Sequence, residues 1–354
     1  MLRTTLLTVL SFVAFQASAK IWRVNNNTGI SADFTTLQAA HNGAASGDTL
    51  HLEGSPSNYG GLTCTKNLVI LGPGYFLDEN PNTQSLAQTA KVTAVTFNVG
   101  SEGSQIMGLD FQGNTLTVQA HDIVIRRNRF STTNGASSDY SCGDIRLYYL
   151  NTNSNIAVKN IIISQNYGVS ISVNSASTGI LITNNFISVN SHYGEGSTSG
   201  CLTAHANAIL LIQNNIFRRG KLNVSNSSIT NNIMWTGFFE GTANLVANNL
   251  AGGTQFGATN GNQASVTMTD VFVGTGTGIS PDGQWKLKAG SPALGAGYGS
   301  TGANPIDAGM YSGQTPYVLA GQPPMPAIYF FENQPVGSNT DPIDVSIKVK
   351  SAGN

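Results

Sequence analysis

The chain is constrained above all by a recurring run of aliphatic residues that closes on Asn and resumes with an apolar residue. It is plainest at Ile180-Leu181-Ile182-Thr183-Asn184-Asn185-Phe186-Ile187. It returns at Leu210-Leu211-Ile212-Gln213-Asn214-Asn215-Ile216-Phe217 and at Ile229-Thr230-Asn231-Asn232-Ile233-Met234. A weaker copy is Leu245-Val246-Ala247-Asn248-Asn249-Leu250, and two earlier copies, Ile123 to Phe130 and Ile162 to Asn166, keep one Asn. With the second Asn as marker the positions are 128, 166, 185, 215, 232 and 249, at steps of 38, 19, 30, 17 and 17 residues. A unit of about 17 to 20 residues accounts for these steps if the 38 is two units and the 30 carries an insertion. Self-similarity at a short fixed period is the mark of a solenoid, in which each unit packs only on its neighbours.

Asn at the marker has a physical reason. A coil of short parallel strands must bend sharply, and the left-handed backbone of such a bend is one that Asn tolerates and ordinary side chains resist. Asparagines stacked one above another also hydrogen-bond side chain to side chain. The chain has 37 Asn residues, but loop-filling alone does not explain why the same aliphatic approach and apolar exit recur six times.

Composition agrees with a polar-faced solenoid. Only 10% of the 354 residues are charged, against roughly 25% in an average domain. Disorder is not the cause, because 40% are hydrophobic and 40 residues are Gly. A formal net charge of −1 offers no electrostatic footprint, so neither nucleic acid nor an anionic membrane is an expected partner.

Residues 1–19 read as a secretion signal: Arg3, an apolar core from Leu6 to Phe15, and the small-residue pattern Ala17-Ser18-Ala19. The mature chain then starts at Lys20 and is secreted, periplasmic or held at the cell surface; a membrane anchor is the competing reading. No later apolar run reaches spanning length, so no membrane span is expected. Of three cysteines at least one is unpaired. Cys142 and Cys201 flank the two excursions described below and are candidates for a bridge; small buried residues is the other reading, which also suits Cys64.

At the N-terminus, Ile21-Trp22-Arg23-Val24 reads as a strand. Asp33 to Ala40 reads as a short helix with Asp33 near its N-cap and Phe34, Leu37 and Ala40 as the apolar face. Gly47-Asp48-Thr49, a strand, and Tyr59-Gly60-Gly61 follow. This arrangement resembles the N-terminal cap and first rung of pectate-lyase-like right-handed parallel β-helix proteins. Trp285 to Ala293 and Asp307-Ala308-Gly309-Met310-Tyr311 are similar to the turns that close the coil in many secreted members. The resemblance spans about residues 21–313 and implies an all-β right-handed parallel β-helix with an N-terminal helical cap. The coil is expected from about residue 48 to 273, in eleven or twelve turns spanning roughly 55 Å.

Residues 314–354 form a Pro-rich C-terminal β appendage. Ala327 to Phe331 is one apolar strand, and Ile343 to Lys350 alternates strictly, so one face is expected to be buried and the other wet. The appendage either packs on the solenoid or docks a strand onto a protein partner.

Two excursions break the period, Ser131 to Asp144 and Asn190 to Gly200. Leaving at one phase of the coil, they wall a groove over the strands that follow. Strand alternation turns Arg146, Tyr148, Ser170, Ser172, Thr203, His205, Lys221 and Asn223 outward. With His192 and Tyr193 of the second excursion, these side chains suit a polysaccharide or cell-surface glycan, whose rings stack on aromatics and whose hydroxyls need partners. The plain alternative is an ordinary polar outer face.

Relatives of this fold include glycosidases with paired carboxylates and lyases with Ca²⁺-binding acids and a basic Arg or Lys. Candidates for such chemistry here are Asp139, Asp144 and Glu195, with Arg146, His192, His205 and Lys221 as proton handlers. Within residues 20–313 none of those enzymes' Asn-Thr-Asp, Asp-Asp, Gly-His-Gly, Arg-Ile-Lys, Trp-x-Asp-His or Arg-x-Pro-x-x-Arg motifs occurs; the one Asn-Thr-Asp, Asn339-Thr340-Asp341, lies in the appendage. No acidic cluster suits a tight Ca²⁺ site, and Gly274 to Gly278 lacks the setting of a phosphate cradle, so no metal or cofactor is expected. Arg126, Arg127, Arg129, Arg218 and Arg219 either bind anionic sugar or decorate rungs; His41, His51 and His121 read as structural. The leading expectation is a non-catalytic, polysaccharide-binding or surface structural module. The second is a polysaccharide lyase or glycoside hydrolase of divergent mechanism.

Overall fold

The computed structural model describes residues 19–112, 115–131, 143–147, 150–151, 154–155, 157–189 and 196–351. Ten strands stack in parallel to form the first sheet: Ile21–Val24, Thr49–Leu52, Val69–Leu71, Gln105–Met107, Val124–Arg126, Lys159–Ser164, Thr178–Thr183, Leu210–Gln213, Ser228–Thr230 and Leu245–Ala247. A further fifteen strands form one sheet folded along Tyr167–Val173. The start of that strand belongs to a second face that includes Leu109–Gln112, Arg129–Ser131, Phe186–Ser188, Ile216–Arg219, Ile233–Met234 and Leu250–Ala251. Its end belongs to a third face that includes Leu62–Cys64, Val95–Phe97, Thr115–Val118, Gly143–Leu147, Gly200–Ala204, Lys221–Asn223 and Phe238–Glu240. The chain visits the three faces in turn and starts again, which is a parallel β-helix, right-handed as parallel crossovers are.

Inward positions are aliphatic and aromatic and are fully buried, among them Leu50, Ile70, Ile125, Ile163, Ile182, Ile212 and Ile229 on the first sheet. Phe111 and Phe130 stack at 4.8 Å between successive coils. Each apolar stripe is thus satisfied only by the rung above and the rung below.

Ten rungs at ~4.8 Å make the stack about 45 Å long, shorter than the eleven or twelve turns expected. The difference arises at the 38-residue step. Val124–Arg126 pairs directly with Ile162, Ile163 and Ser164, and Asn128 bonds directly to Asn166, so those residues make one coil with a long excursion rather than two units.

At the corner between the first and second faces the paired asparagines divide the work. The first position carries the left-handed backbone: Arg127, Gln165, Asn184, Asn214, Asn231 and Asn248 have φ between +56° and +59°. The second position forms the ladder. Asn128, Asn166, Asn185, Asn215, Asn232 and Asn249 are fully buried, and each donates both its backbone N–H and its side-chain amide to the Oδ1 of the next, ending on Asn262. At the head, Asn128 Oδ1 accepts the N–H of Leu109.

The helix Leu37–Gly43 packs on the first strands and inserts Leu37 and Ala40 into the core. Its N-cap is Thr36, whose hydroxyl accepts the N–H of Ala39 at 3.2 Å; Asp33 instead accepts the N–H of Arg23. Asp48 of the Gly-Asp-Thr turn takes three N–H donors at 2.8 Å, from the Lys20 backbone, the Trp22 indole and the Ala45 backbone. Burial works against the Asp48 carboxylate, but these bonds outweigh it and hold the group below the usual carboxylate range.

Past Ala251 the chain adds one short coil, in which Asn262 ends the ladder and Gln263 bridges Leu250 in parallel, and it then leaves the stack. It returns along the outside of the second face. Phe272, Trp285, Ala308, Met310 and Tyr317 cover Tyr167, Phe186, Ile216, Ile233 and Leu250, forming a second apolar core. The left-handed corner residues clasp this strap. Asn248 donates to the Ala296 carbonyl, Asn184 to Met310 and Ser312, Gln165 to Thr315 and Pro316, and Arg127 to Gln322. Buried Asp282 ties the strap together, accepting from the Ala320 N–H, the Tyr317 hydroxyl and the Asn80 amide.

Ala327–Asn333 and Val345–Lys350 then form an antiparallel ribbon beside residues 82–85. The alternating strand does not bury a face as its pattern led one to expect, because Val345, Ile347 and Val349 are all more than half exposed. Among the described residues no helix is long and apolar enough to cross a membrane.

Three outcomes are expected. Asn215→Ala leaves buried donors of Asn185 without an acceptor and lowers stability by about 3 kcal/mol in a denaturant melt. Asn214→Gly, one residue away, changes stability by less than about 1 kcal/mol, because the Asn214 amide nitrogen has no partner and Gly accepts the left-handed backbone. For Asp48 the folded-state pKa lies below the unfolded value of about 3.9, so its stabilisation is present above that value and is lost as pH falls through the folded pKa. The melting-temperature gap between the native chain and Asp48→Asn is therefore constant near neutrality and narrows below about pH 4.

Candidate functional site

The third face presents a straight outward column. Its register runs Thr63, Thr96, Thr117, Arg146, Ser172, Thr203, Asn223, Glu240, one residue per strand. A shorter column beside it holds Thr115, Asp144 and Ser170. From Thr63 to Asn223 of the main column each position sits between two inward apolar residues, which is why alternation points it to solvent. The first three threonines had a signal in the sequence, an apolar-Thr-apolar triplet at Leu62 to Cys64, Val95 to Phe97 and Leu116 to Val118.

Charges on this face occur as neutral pairs. Arg146 Nη2 lies 2.8 Å from Asp144 Oδ2, and the Ser170 hydroxyl donates to the other oxygen, Asp144 Oδ1. Lys221 Nζ lies 3.1 Å from Glu240 Oε2. The two clusters are separate, since Arg146 and Asn223 are three strand steps apart, roughly 14 Å at ~4.8 Å per step. Asp144 and Glu240 are four steps apart, about 19 Å, far beyond the reach of an acid–base pair across one glycosidic bond.

Of the residues singled out from sequence, Arg146, Ser170, Ser172, Thr203, Lys221 and Asn223 stand on this face. His205 does not. Its strand ends at Ala204, and His205 opens the next turn, exposed, with Nδ1 accepting the N–H of Asn207 at 3.2 Å. Asp139, Cys142, Tyr148, His192, Tyr193 and Glu195 lie outside the described residues. Both excursions leave after the second face, between Ser131 and Gly143 and between Ser188 and Gly200, and rejoin on the third.

Three arginines of the basic pairs pack against the fold. Arg127 is buried in the strap clasp and bonds Gln165 at 2.6 Å. Arg129 lies over the Phe76 ring at 4.3 Å, and Arg218 over Trp235 at 4.8 Å. His41 Nε2 accepts the N–H of Thr65, and His121 Nδ1 that of Lys159. Beneath the site, Cys201 is a buried free thiol, as is Cys64, so the suggested bridge to Cys201 is absent. Burial pushes the Cys201 thiol up to about 12.

These features define a parallel β-helix protein with a flat, hydroxyl-rich and charge-balanced outer face. No family model matches the chain, and no curated protein matches it. Among solved structures it is similar to the crystal structure of pectate lyase Pel9A, at 15% identity and a TM-score of 0.34, over 82% of this chain and 96% of that one. That is a likeness of shape, and the roles of residues on this face rest on this chain's own geometry.

A thiol reagent at neutral pH tests the packing under the face. In a Cys142→Ser chain neither Cys64 nor Cys201 reacts until denaturant is added, and both then react at once.

Proposed function

We propose that this chain is a secreted, non-catalytic module that binds polysaccharide or a cell-surface glycan along the third face. Residues 1–19 act as the secretion signal, residues 20–313 as the binding solenoid with the strap that returns over it, and residues 314–354 as its appendage. The observation that carries the proposal is the unbroken outward column from Thr63 to Glu240, in which hydroxyl, amide and guanidinium groups recur at one strand spacing. A sugar chain lying along the stack meets a donor or acceptor at each rung, with little apolar surface to exclude it. The Asp144–Arg146 pair offers a carboxylate and a planar donor to one sugar unit. Among the described residues the carboxylates Asp144 and Glu240 stand four rungs apart, which favours holding a glycan over cutting it.

A glycan array with acidic and neutral polysaccharides, followed by assays for reducing ends and unsaturated products, tests this. Binding without product is expected, weakened roughly tenfold by Arg146→Ala and severalfold by Asn223→Ala. No binding by any glycan sinks the proposal. Turnover that Arg146→Ala abolishes would replace it with a lyase or hydrolase acting in the same groove.

A further inference from the structure

The C-terminal ribbon leaves one face bare. Cross-strand partners Ile328 and Val349, and Phe331 and Ile347, project to the same side, with Val345 beyond them. These five side chains are 43% to 60% exposed. The opposite side carries Lys348 over the Phe330 ring at 4.8 Å, with Glu332 and Ser346. That polar side is also the one that meets the rest of the chain, through buried Ala327 and through Lys350, which donates to the Asn82 carbonyl and Gln322 Oε1.

A two-stranded ribbon with an open apolar face is marginal in water. We propose that this face is a self-association surface, packing on the same face of a second copy about a two-fold axis. The area suits that occupant. The five side chains expose on the order of 500 Å² per copy, so two copies bury about 1,000 Å², the threshold for a specific interface. The chemistry suits it too. No charged residue stands on the bare face, so a two-fold contact brings no like charges together, and the same patch serves both partners. Another apolar strip, Ile162, Leu181, Leu211 and Leu245 on the first sheet, lies elsewhere on the molecule. A ribbon docked there would give head-to-tail chains instead of closed dimers.

Sedimentation equilibrium or light scattering of the full chain across micromolar to millimolar concentrations decides the matter. The expected result is a closed dimer whose mass halves in Ile347→Lys and in Phe331→Ser, with melting temperature unchanged. Lys348→Glu, on the polar side, and Leu211→Lys, on the first sheet, stay dimeric. A native chain that is monomeric throughout overturns the proposal. So does a dimer that survives Ile347→Lys, or association that Leu211→Lys abolishes.

Discussion

Along one corner of the molecule, buried asparagine amides bond upward and downward without a gap from Leu109 to Asn262. Every other feature of the solenoid is built against that column. A buried amide has two donors and one acceptor oxygen, and an unpaired one is costly. In Asn215 the side-chain nitrogen serves Ile182 O, Gln213 O and Asn232 Oδ1, while the oxygen takes two bonds from Asn185. Such a side chain has one acceptable height and one acceptable rotamer. It therefore sets the register of the strands on both sides of the corner, because a one-residue slip would turn every apolar residue outward.

The residue before each ladder Asn has a different duty. Its left-handed backbone swings its side chain out of the column, where it meets the returning strap. Arg127, Gln165, Asn184 and Asn248 grip carbonyls of that strap, which lies over an outer face too apolar to be left wet. One sharp bend thus serves two packings, the coil within and the strap without. Phe186 shows the result, stacked on Tyr167 and tilted against Trp285, each at 4.7 Å, where the second face is covered.

The third face is free because neither ladder nor strap needs it. Its side chains are selected only by solvent and by whatever lies along it. Neutral pairing of Asp144 with Arg146 and of Lys221 with Glu240 keeps it without net charge, in keeping with a chain whose acids and bases nearly cancel. Long-range steering of a charged partner is absent from such a surface, and recognition rests on short-range hydrogen bonds at matching spacing.

The coil, its corner asparagines and the outward positions of Arg146, Ser172, Thr203 and Asn223 were legible from the residues alone, because period and alternation are local properties. What lay out of reach were distances along the stack. The 38-residue step read as two units, and only the pairing of Val124 with Ile162 shows it to be one coil with an excursion. His205 looked like a strand residue because alternation carries no mark of where a strand ends. Residues 285–311 read as turns that close the coil because apolar residues such as Trp285 and Met310 do not say which apolar face they cover. Sequence by itself determined the repeating unit and which side of each strand is wet, since both follow from backbone geometry within a few residues. Tertiary structure alone decided how many units stack, which face the strap covers and how far apart the charged groups stand, since those follow from contacts between residues far apart in the chain.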